Sequence, residues 1–99
     1  MTKNREEILN ILGQNKEAIQ RFGVKRLSLF GSFARGQGKD GSDLDFLVEF
    51  NQKSFDAYMG LKEYLETLFQ CHVDLVLPNV IKPRLRSRIF EEAVHAPGL

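Results

Sequence analysis

The chain has 99 residues, of which 42% are hydrophobic and 27% are charged, and its formal net charge at pH 7 is +1. A chain of this length buries about 65% of the surface that its unfolded form exposes, which is enough for one modest core, so we expect a single domain over residues 1–99. The small net charge argues against a general polyanion binder and therefore against nucleic acid as the main partner.

The cysteine content and the N-terminus predict a cytoplasmic protein without a membrane span. Cys71 is the only cysteine, so an internal disulfide is excluded and a reducing compartment suits the chain. The segment MTKNREEILN alternates charged with apolar residues and has no apolar run of signal-peptide length. No stretch approaches the roughly 20 apolar residues that a transmembrane helix needs.

The first half of the chain predicts one helix followed by two strands. Asn4 and Glu7 are spaced as in a helix capping box, and apolar residues then recur at helical spacing until Gly23 ends the helix. The segment VKRLSLF predicts a strand that ends at Phe30. GSFARGQGKDGS, which is rich in glycine, predicts a loop with at most one helical turn. LDFLVEF predicts a second strand over Leu44–Phe50, with apolar side chains on alternate positions.

The second half predicts two helices separated by a third strand. Phe55–Phe69 carries an apolar stripe at helical spacing, which we expect to lie in the core. His72–Leu77 predicts the third strand. A turn then leads to Pro83, a residue that suits the first position of a helix, and the apolar spacing carries this last helix to Ala93.

The order of these elements predicts an α/β fold with a small mixed β-sheet covered by helices. The link from Phe30 to Leu44 is too short for a crossover helix, so the first two strands are expected to pair antiparallel. The longer link from Phe50 to His72 does contain a helix. Because one link is too short for a crossover and the other contains a helix, we expect a mixed sheet.

Two aspartates at the start of the second strand form the first part of a candidate site. Asp43 and Asp45 are two residues apart on a strand, so their side chains leave the same face, with Cα atoms about 6.6 Å apart. Carboxylates at this separation can share two metal ions held about 3.5–4 Å apart, as in phosphoryl-transfer enzymes. Oxygen ligands suit Mg²⁺, and no histidine or cysteine nearby in the sequence favours zinc.

A candidate phosphate-binding turn lies between the two strands. Because Gly31 has no Cβ, a phosphate can approach the backbone closely. If Ser32 begins a helical turn, its N–H and hydroxyl face a bound anion. Arg35 lies three residues further on and could add a positive charge to the same triphosphate site.

A third carboxylate, Asp74, interrupts the apolar strand VDLVL, where an unpaired charge is costly to bury. If the sheet places Asp74 beside Asp45, three negative charges cluster, and each pair about 4 Å apart repels by roughly 4 kcal/mol at an effective dielectric constant of 20. Such a cluster favours a bound cation. The sequence leaves this adjacency open, and it also leaves open a plain turn with local caps at the aspartates.

The combined pattern resembles the signature of the DNA polymerase β nucleotidyltransferase superfamily. The pattern consists of the GS pair at 31–32, the SDLD motif at 42–45 and Asp74. It resembles most closely the minimal nucleotidyltransferase (MNT) antitoxins, which are encoded beside HEPN-domain toxins. The resemblance covers nearly the whole chain, from the leading helix through GSFARG, SDLDFLVEF and VDLV to KPRLRSRIFEEAV.

The resemblance implies a polymerase-β-like fold and a three-carboxylate, two-metal site that transfers a nucleotidyl group. Its implied cofactor is Mg²⁺, with Mn²⁺ as an alternative, and its implied substrate is ATP. Gly31 and Ser32 would hold the β- and γ-phosphates, and Asp74 would also help to deprotonate the acceptor hydroxyl. The implied catalytic and metal-binding residues are Asp43, Asp45 and Asp74, and the nucleotide-binding residues are Gly31, Ser32 and Arg35.

The expected acceptor of the nucleotidyl group is a partner protein. Larger relatives carry extra domains that bind the acceptor, and this chain has no residues left for one. In characterised MNT relatives, the antitoxin adenylylates a tyrosine of its toxin. The resemblance therefore implies transfer of AMP to a hydroxyl of a HEPN-domain toxin within a hetero-oligomer.

Two other functions remain open from the sequence. The chain could be a non-catalytic antitoxin that neutralises its partner by occlusion. It could also bind nucleic acid through Arg84, Arg86 and Arg88 of the last helix, although a solvated helix face is the favoured interpretation of these arginines.

Four further residues are interpreted as structural. His72 and His95 are not expected to be metal ligands, because nothing pairs with them at metal-ligand spacing. Cys71 is expected to be a small core residue rather than a nucleophile. Ser42 is expected to cap the loop.

Overall fold

Helices and strands alternate along the chain largely as the sequence patterns predict. A computed structural model describes residues 4–39, 42–52 and 54–99, and expectations that concern positions 1–3, 40, 41 and 53 lie outside the described residues. The helices are α1 (Arg5–Gln14), α2 (Lys16–Gln20), α3 (Phe55–Phe69) and α4 (Pro83–Glu92), the strands are β1 (Val24–Phe30), β2 (Leu44–Phe50), β3 (Val73–Val76) and β4 (Val94–His95), and a 3₁₀ turn covers Pro78–Val80.

The strands form one mixed sheet in the order β3-β2-β1-β4. β1 pairs antiparallel with β2 and with β4, whereas β2 pairs parallel with β3. Helix α3 connects β2 to β3 and supplies the crossover that parallel neighbours require. The expected antiparallel pairing of the first two strands and the expected α/β fold with a small mixed sheet are therefore confirmed.

The N-terminal helix begins as predicted but is interrupted once. Asn4 caps α1, and its side chain accepts a hydrogen bond from the Glu7 N–H. The expectation of one continuous helix is wrong, because the chain leaves the helical conformation at Asn15 before α2 begins. The Asn15 amide group donates to the Ile11 carbonyl at 2.8 Å, and its oxygen accepts from the Tyr64 hydroxyl at 2.7 Å. Such side-chain bonds compete with the helical backbone pattern.

The core lies between one face of the sheet and helices α1, α2 and α3. Alternate residues of β2 point into it, and Leu44, Phe46 and Val48 are at most 3% exposed. Because side chains alternate along a strand, Asp45 lies on the opposite face, away from these helices. The helices contribute fully buried side chains at Ile8, Leu12, Ile19, Leu61 and Leu65.

The C-terminal end contains a strand that the sequence analysis does not predict. β4 has two residues, with Val94 opposite Leu29 of β1, and two residues are too few to show an alternating pattern. The last helix ends at Glu92, so Ala93 follows it as the C-cap instead of belonging to it. The β4 pairing holds the end of α4 near the end of β1. None of the helices in the described ranges is long and apolar enough to cross a membrane.

Candidate active site

Three aspartates lie at one end of the β2–β3 pair. Asp43 precedes β2, Asp45 is the second residue of β2, and Asp74 is the second residue of β3. In the parallel register Asp45 is the partner of Asp74, and neighbouring strands lie about 4.8 Å apart. The adjacency that the sequence left open is therefore present, and it arises from the parallel pairing across the α3 crossover.

The pKa of Asp45 reflects both its burial and the neighbouring carboxylates. Its pKa is raised from 3.8 to about 6, first because burial removes water from the carboxylate. The charge of Asp74 and a side-chain hydrogen bond with it raise the pKa further, as does the charge of Asp43. Arg35 acts in the opposite direction and lowers it. A bound cation would lower this pKa again by offsetting the charges of Asp74 and Asp43.

The turn after β1 lies directly against Asp45. Phe30, the last residue of β1, is the register partner of Asp45. Gly31 follows with φ +78°, a left-handed conformation that favours glycine, and a Cβ at this position would collide with the Asp45 carboxylate. Only glycine therefore brings the backbone this close to the acidic cluster. The antiparallel pairing of β1 with β2 thus brings the GS pair next to the SDLD motif, although the two motifs are separated in the sequence.

The segment after Gly31 forms the single helical turn that the sequence analysis allows. The Arg35 N–H donates to the Gly31 carbonyl at 3.2 Å, and the Gln37 N–H donates to the Ser32 carbonyl at 2.8 Å. The Ala34 carbonyl accepts a hydrogen bond from Arg5 of α1 at 3.1 Å. The first helix thus anchors the turn that carries the candidate phosphate ligands, a contact that the sequence did not suggest.

Glu92, at the end of α4, contacts two of the candidate phosphate ligands. Its Oε2 accepts from Arg35 Nη1 at 2.9 Å, and its Oε1 accepts from the Gly31 N–H at 3.4 Å. The Glu92 side chain is 18% exposed and that of Arg35 is 41% exposed. The Glu92 carboxylate therefore contacts two of the groups that the resemblance assigns to the triphosphate. Sequence reasoning missed Glu92 because its placement depends on the unpredicted β4 pairing.

His72 lies beside Asp74, contrary to the expectation that nothing pairs with it. His72 Nε2 is 3.3 Å from Asp74 Oδ1, and its Nδ1 is 3.2 Å from Glu66 Oε2. The same Glu66 oxygen accepts a hydrogen bond from the Val73 N–H at 3.1 Å. Asp43, His72 and Asp74 each offer one ligand atom, and these three atoms lie within 4.8 Å of one another. Nitrogen is thus available at the acidic cluster, which the sequence analysis did not anticipate.

The signal for His72 was present in the sequence. His72 and Asp74 are two residues apart, the same spacing as Asp43 and Asp45, and in both pairs the first residue directly precedes a strand that carries the second. His95 lies elsewhere, on β4 opposite Ser28.

The other structural interpretations agree with the fold. Ser42 Oγ accepts from the Lys39 N–H at 3.2 Å, as expected of a local cap. Cys71 is partly buried and packs against the core. Arg84 and Arg88 are exposed, whereas Arg86 donates to the Ile81 carbonyl at 3.2 Å.

The sequence is similar to those of known nucleotidyltransferases. The sequence profile of the nucleotidyltransferase domain matches residues 6–95. Protein adenylyltransferase MntA of Thermococcus cleftensis is 40% identical over 92 residues, which cover 91% of this chain and 93% of the relative. MJ0435 of Methanocaldococcus jannaschii, named as a candidate protein adenylyltransferase, is 47% identical over 77 residues, covering 77% and 83% of the two chains.

Structural comparison gives the same family. The structure of a candidate minimal nucleotidyltransferase superposes with a TM-score of 0.80 at 33% identity, covering 93% of this chain and 95% of the other. A toxin–antitoxin structure with AMP-PNP has a TM-score of 0.66 at 22% identity, covering 98% and 75%. A tri-AMPylated HEPN toxin in complex with MNT antitoxin, from Shewanella oneidensis, has a TM-score of 0.62 at 18% identity, covering 92% and 73%. The last two share the fold with this chain. The chain belongs to the minimal nucleotidyltransferase family and is an enzyme of the nucleotidyltransferase class.

Proposed function

We propose that this protein transfers AMP from ATP to a hydroxyl group of a partner protein. The observation that carries the proposal is the pairing of Asp45 with Asp74 across the parallel strands, directly beside the Gly31 turn. This arrangement brings an acidic cluster next to backbone N–H groups and an arginine. Relatives at 40% and 38% identity carry the name protein adenylyltransferase or a candidate form of it, which supports AMP as the transferred group.

The acidic cluster fits a divalent cation, with Mg²⁺ as the proposed ion. Asp43, Asp45 and Asp74 would hold it, because carboxylate oxygens are the ligands that Mg²⁺ prefers and because Asp45 lies opposite Asp74 across the parallel strands, where a cation would offset the repulsion between their charges. When bound, the cation would neutralise charge on the triphosphate and lower the pKa of the attacking hydroxyl.

The protein's own groups position the reactants. The N–H of Gly31, the Ser32 hydroxyl and the Arg35 guanidinium are the proposed ligands of the triphosphate oxygens. The acceptor oxygen forms a bond to the α-phosphorus, the bond to the bridging oxygen breaks, and pyrophosphate leaves. Asp74 is proposed to assist removal of the hydroxyl proton. Catalysis in this scheme comes mainly from positioning and charge neutralisation.

The proposed partner is a HEPN-domain toxin in the cytoplasm, bound in a hetero-oligomer. The structures with the same fold include MNT antitoxins in complex with HEPN toxins, one of them tri-AMPylated. Asp43 is exposed and the Asp74 side chain is 50% exposed, so the site is open to an acceptor carried by another protein. We propose that residues 1–99 act as one unit in this reaction.

One observation favours a second candidate function, neutralisation of the partner by occlusion without transfer. Glu92 already contacts Arg35 and the Gly31 N–H, so two proposed phosphate ligands have an internal acceptor. In that case the acidic cluster would be dispensable for neutralisation.

The two functions are separated by the double variant Asp43→Asn/Asp45→Asn. The unmodified protein, its partner, α-labelled ATP and Mg²⁺ are expected to give a labelled partner, and the double variant is expected to give at least about a hundredfold less label, or roughly 2.7 kcal/mol in barrier. Asp56→Asn, at an exposed position in the first turn of α3, is the matched control and should label normally. Full labelling by the double variant would contradict the enzymatic proposal. Neutralisation that survives without any label would support occlusion.

A further inference from the structure

His72 has no role in the proposed handling of phosphate or hydroxyl, yet it lies in the acidic cluster. Among the described residues it is the imidazole that lies beside Asp43 and Asp74. Its Nε2 faces Asp74 Oδ1 at 3.3 Å, and the side chain is 52% exposed, so burial does not force this contact. The orientation of His72 is therefore attributed to its polar neighbours instead of to packing.

The cause of this orientation is Glu66, on the last turns of α3. Glu66 Oε2 contacts His72 Nδ1 at 3.2 Å and is itself held by the Val73 N–H at 3.1 Å. In a neutral imidazole, a carboxylate beside the N–H of one ring nitrogen leaves the other nitrogen with its lone pair directed outward. Histidines that ligate metals are almost always oriented in this way by a carboxylate, a backbone carbonyl or water.

The distances at the cluster suit ligands of one ion. Adjacent ligands of an octahedral ion with metal–ligand distances of about 2.1 Å lie about 3.0 Å apart, and opposite ligands lie about 4.2 Å apart. His72 Nε2 and Asp74 Oδ1 are 3.3 Å apart, close to the first separation, and the Asp43 ligand atom lies within 4.8 Å of both.

We propose that His72 is a ligand of the divalent cation bound at Asp43 and Asp74, and that it makes this site prefer first-row transition ions to Mg²⁺. Glu66 is the positioning residue that directs the imidazole. The inference rests on the proposed function insofar as Asp74 is a metal ligand there. Its chemical basis is that an imidazole nitrogen binds transition ions readily, whereas Mg²⁺ favours oxygen ligands and retains its water.

The alternative is that His72 is only a hydrogen-bond partner of Asp74. The two assignments differ in a direct spectroscopic signature, because a nitrogen ligand couples magnetically to a bound paramagnetic ion. Mn²⁺ is a suitable probe, since it lies lowest among the transition ions in affinity for such sites and therefore gives the most demanding comparison with Mg²⁺.

The test measures binding of Mn²⁺ and Mg²⁺ alone, without ATP or partner, to the whole chain. Calorimetry is expected to show Mn²⁺ bound at least about tenfold more tightly than Mg²⁺, or about 1.4 kcal/mol. His72→Asn should lose about tenfold or more in Mn²⁺ affinity and change Mg²⁺ affinity by less than about threefold. His95→Asn is the matched control, and it should leave both affinities unchanged.

Pulsed electron paramagnetic resonance of bound Mn²⁺ provides the second readout. Nitrogen coupling is expected in the unmodified protein and in His95→Asn, and it should be absent in His72→Asn. Glu66→Gln should retain the coupling with weaker Mn²⁺ binding, since the ring loses its charged orienting partner. Thermal melts check that each variant is folded, and His72→Gln serves as a replacement if His72→Asn is not.

The outcomes separate this inference from the proposed function. Absence of nitrogen coupling in the unmodified protein, or equal Mn²⁺ affinity in His72→Asn and the unmodified protein, overturns the metal-ligand assignment even if AMP transfer is observed. Nitrogen-coupled Mn²⁺ in a protein that labels no partner upholds the assignment and contradicts the proposed function instead.

Discussion

At the scale of single residues, Asp45 has an ionisation that is coupled to folding. Its pKa in the folded protein is about 6, above the ordinary value of 3.8, because burial and the neighbouring Asp74 and Asp43 disfavour its charge. Between these two values the folded state binds more protons than the unfolded state. The free energy of unfolding must therefore fall as pH rises from about 3.8 to about 6, and it should stay lower above that range.

The corresponding prediction concerns Asp45→Asn in the metal-free protein. The variant cannot ionise, so its free energy of unfolding should match that of the unmodified protein near pH 4 and exceed it above pH 6. Urea unfolding in the presence of a chelator, at a series of pH values, measures the difference. Adding Mg²⁺ above pH 6 should stabilise the unmodified protein more than the variant. Parallel pH profiles for the two proteins would show that Asp45 is not coupled to folding.

Glu92 is the second residue that leads to a prediction, because its carboxylate would compete with the nucleotide for two proposed phosphate ligands. Its carboxylate contacts Arg35 at 2.9 Å and the Gly31 N–H at 3.4 Å, and both are proposed phosphate ligands. If these groups bind the triphosphate as proposed, ATP must displace the Glu92 carboxylate. Glu92→Gln is therefore expected to bind Mg²⁺-ATP about fivefold more tightly, a change of about 1 kcal/mol, which is at the upper end for a partly exposed ion pair.

Calorimetric titration with Mg²⁺-ATP measures the effect of Glu92→Gln. Glu91→Gln is the matched control, because Glu91 is an exposed neighbour on the same helix and should leave the affinity unchanged. Weaker ATP binding by Glu92→Gln would mean that Glu92 holds Arg35 in place for the nucleotide instead of competing with it.

At the scale of elements, α3 both connects and braces the parallel strands. Its N-terminus is capped by Ser54, whose hydroxyl accepts from the Ala57 N–H at 3.0 Å. The Tyr58 hydroxyl donates to the Leu75 carbonyl of β3 at 2.7 Å. The crossover helix is thereby bonded to the strand that carries Asp74, so its stability supports the geometry of the acidic cluster.

Tyr58→Phe tests this brace. The variant keeps the ring in the core but leaves the Leu75 carbonyl without the hydroxyl, which should lower the free energy of unfolding by about 1 kcal/mol. Urea unfolding gives the value. The exposed neighbour Met59, changed to Leu, is a control that should have little effect. An unchanged midpoint for Tyr58→Phe would show that water replaces the hydroxyl at no cost.

At the scale of the whole molecule, the exposure of the site predicts that the rate of ATP turnover depends on the partner protein. Asp43 and Asp74 remain exposed, and catalysis by positioning needs an acceptor held beside them. We expect the isolated protein to release pyrophosphate from ATP slowly, and addition of its cognate partner to raise the rate at least about a hundredfold, or roughly 2.7 kcal/mol in barrier. Rapid release by the isolated protein would point to a small-molecule acceptor.

Several features followed from local pattern in the sequence. The bounds of β1, β2 and α3 match the predicted bounds, because strand alternation and helical spacing over seven to fifteen residues are properties of the segment itself. The expectation that Asp43 and Asp45 lie close together is equally local, since only Leu44 separates them and Asp43 directly precedes β2. The GS turn was recognisable because a glycine without a Cβ opens a glycine-rich loop directly after a strand.

Other features depended on the tertiary structure. The meeting of Asp45 with Asp74 requires the parallel register of two strands that are joined by a helix, and nothing within either strand specifies that register. The contact of Glu92 with Arg35 depends on the two-residue strand β4, which is too short to leave a pattern. At the break, Asn15 accepts a hydrogen bond from Tyr64 of α3, a residue far away in the chain. The sequence by itself thus determined the bounds of β1, β2 and α3 and which acids could act together. Only the packing of those segments decided which side chains meet, because that depends on contacts between residues far apart in the chain.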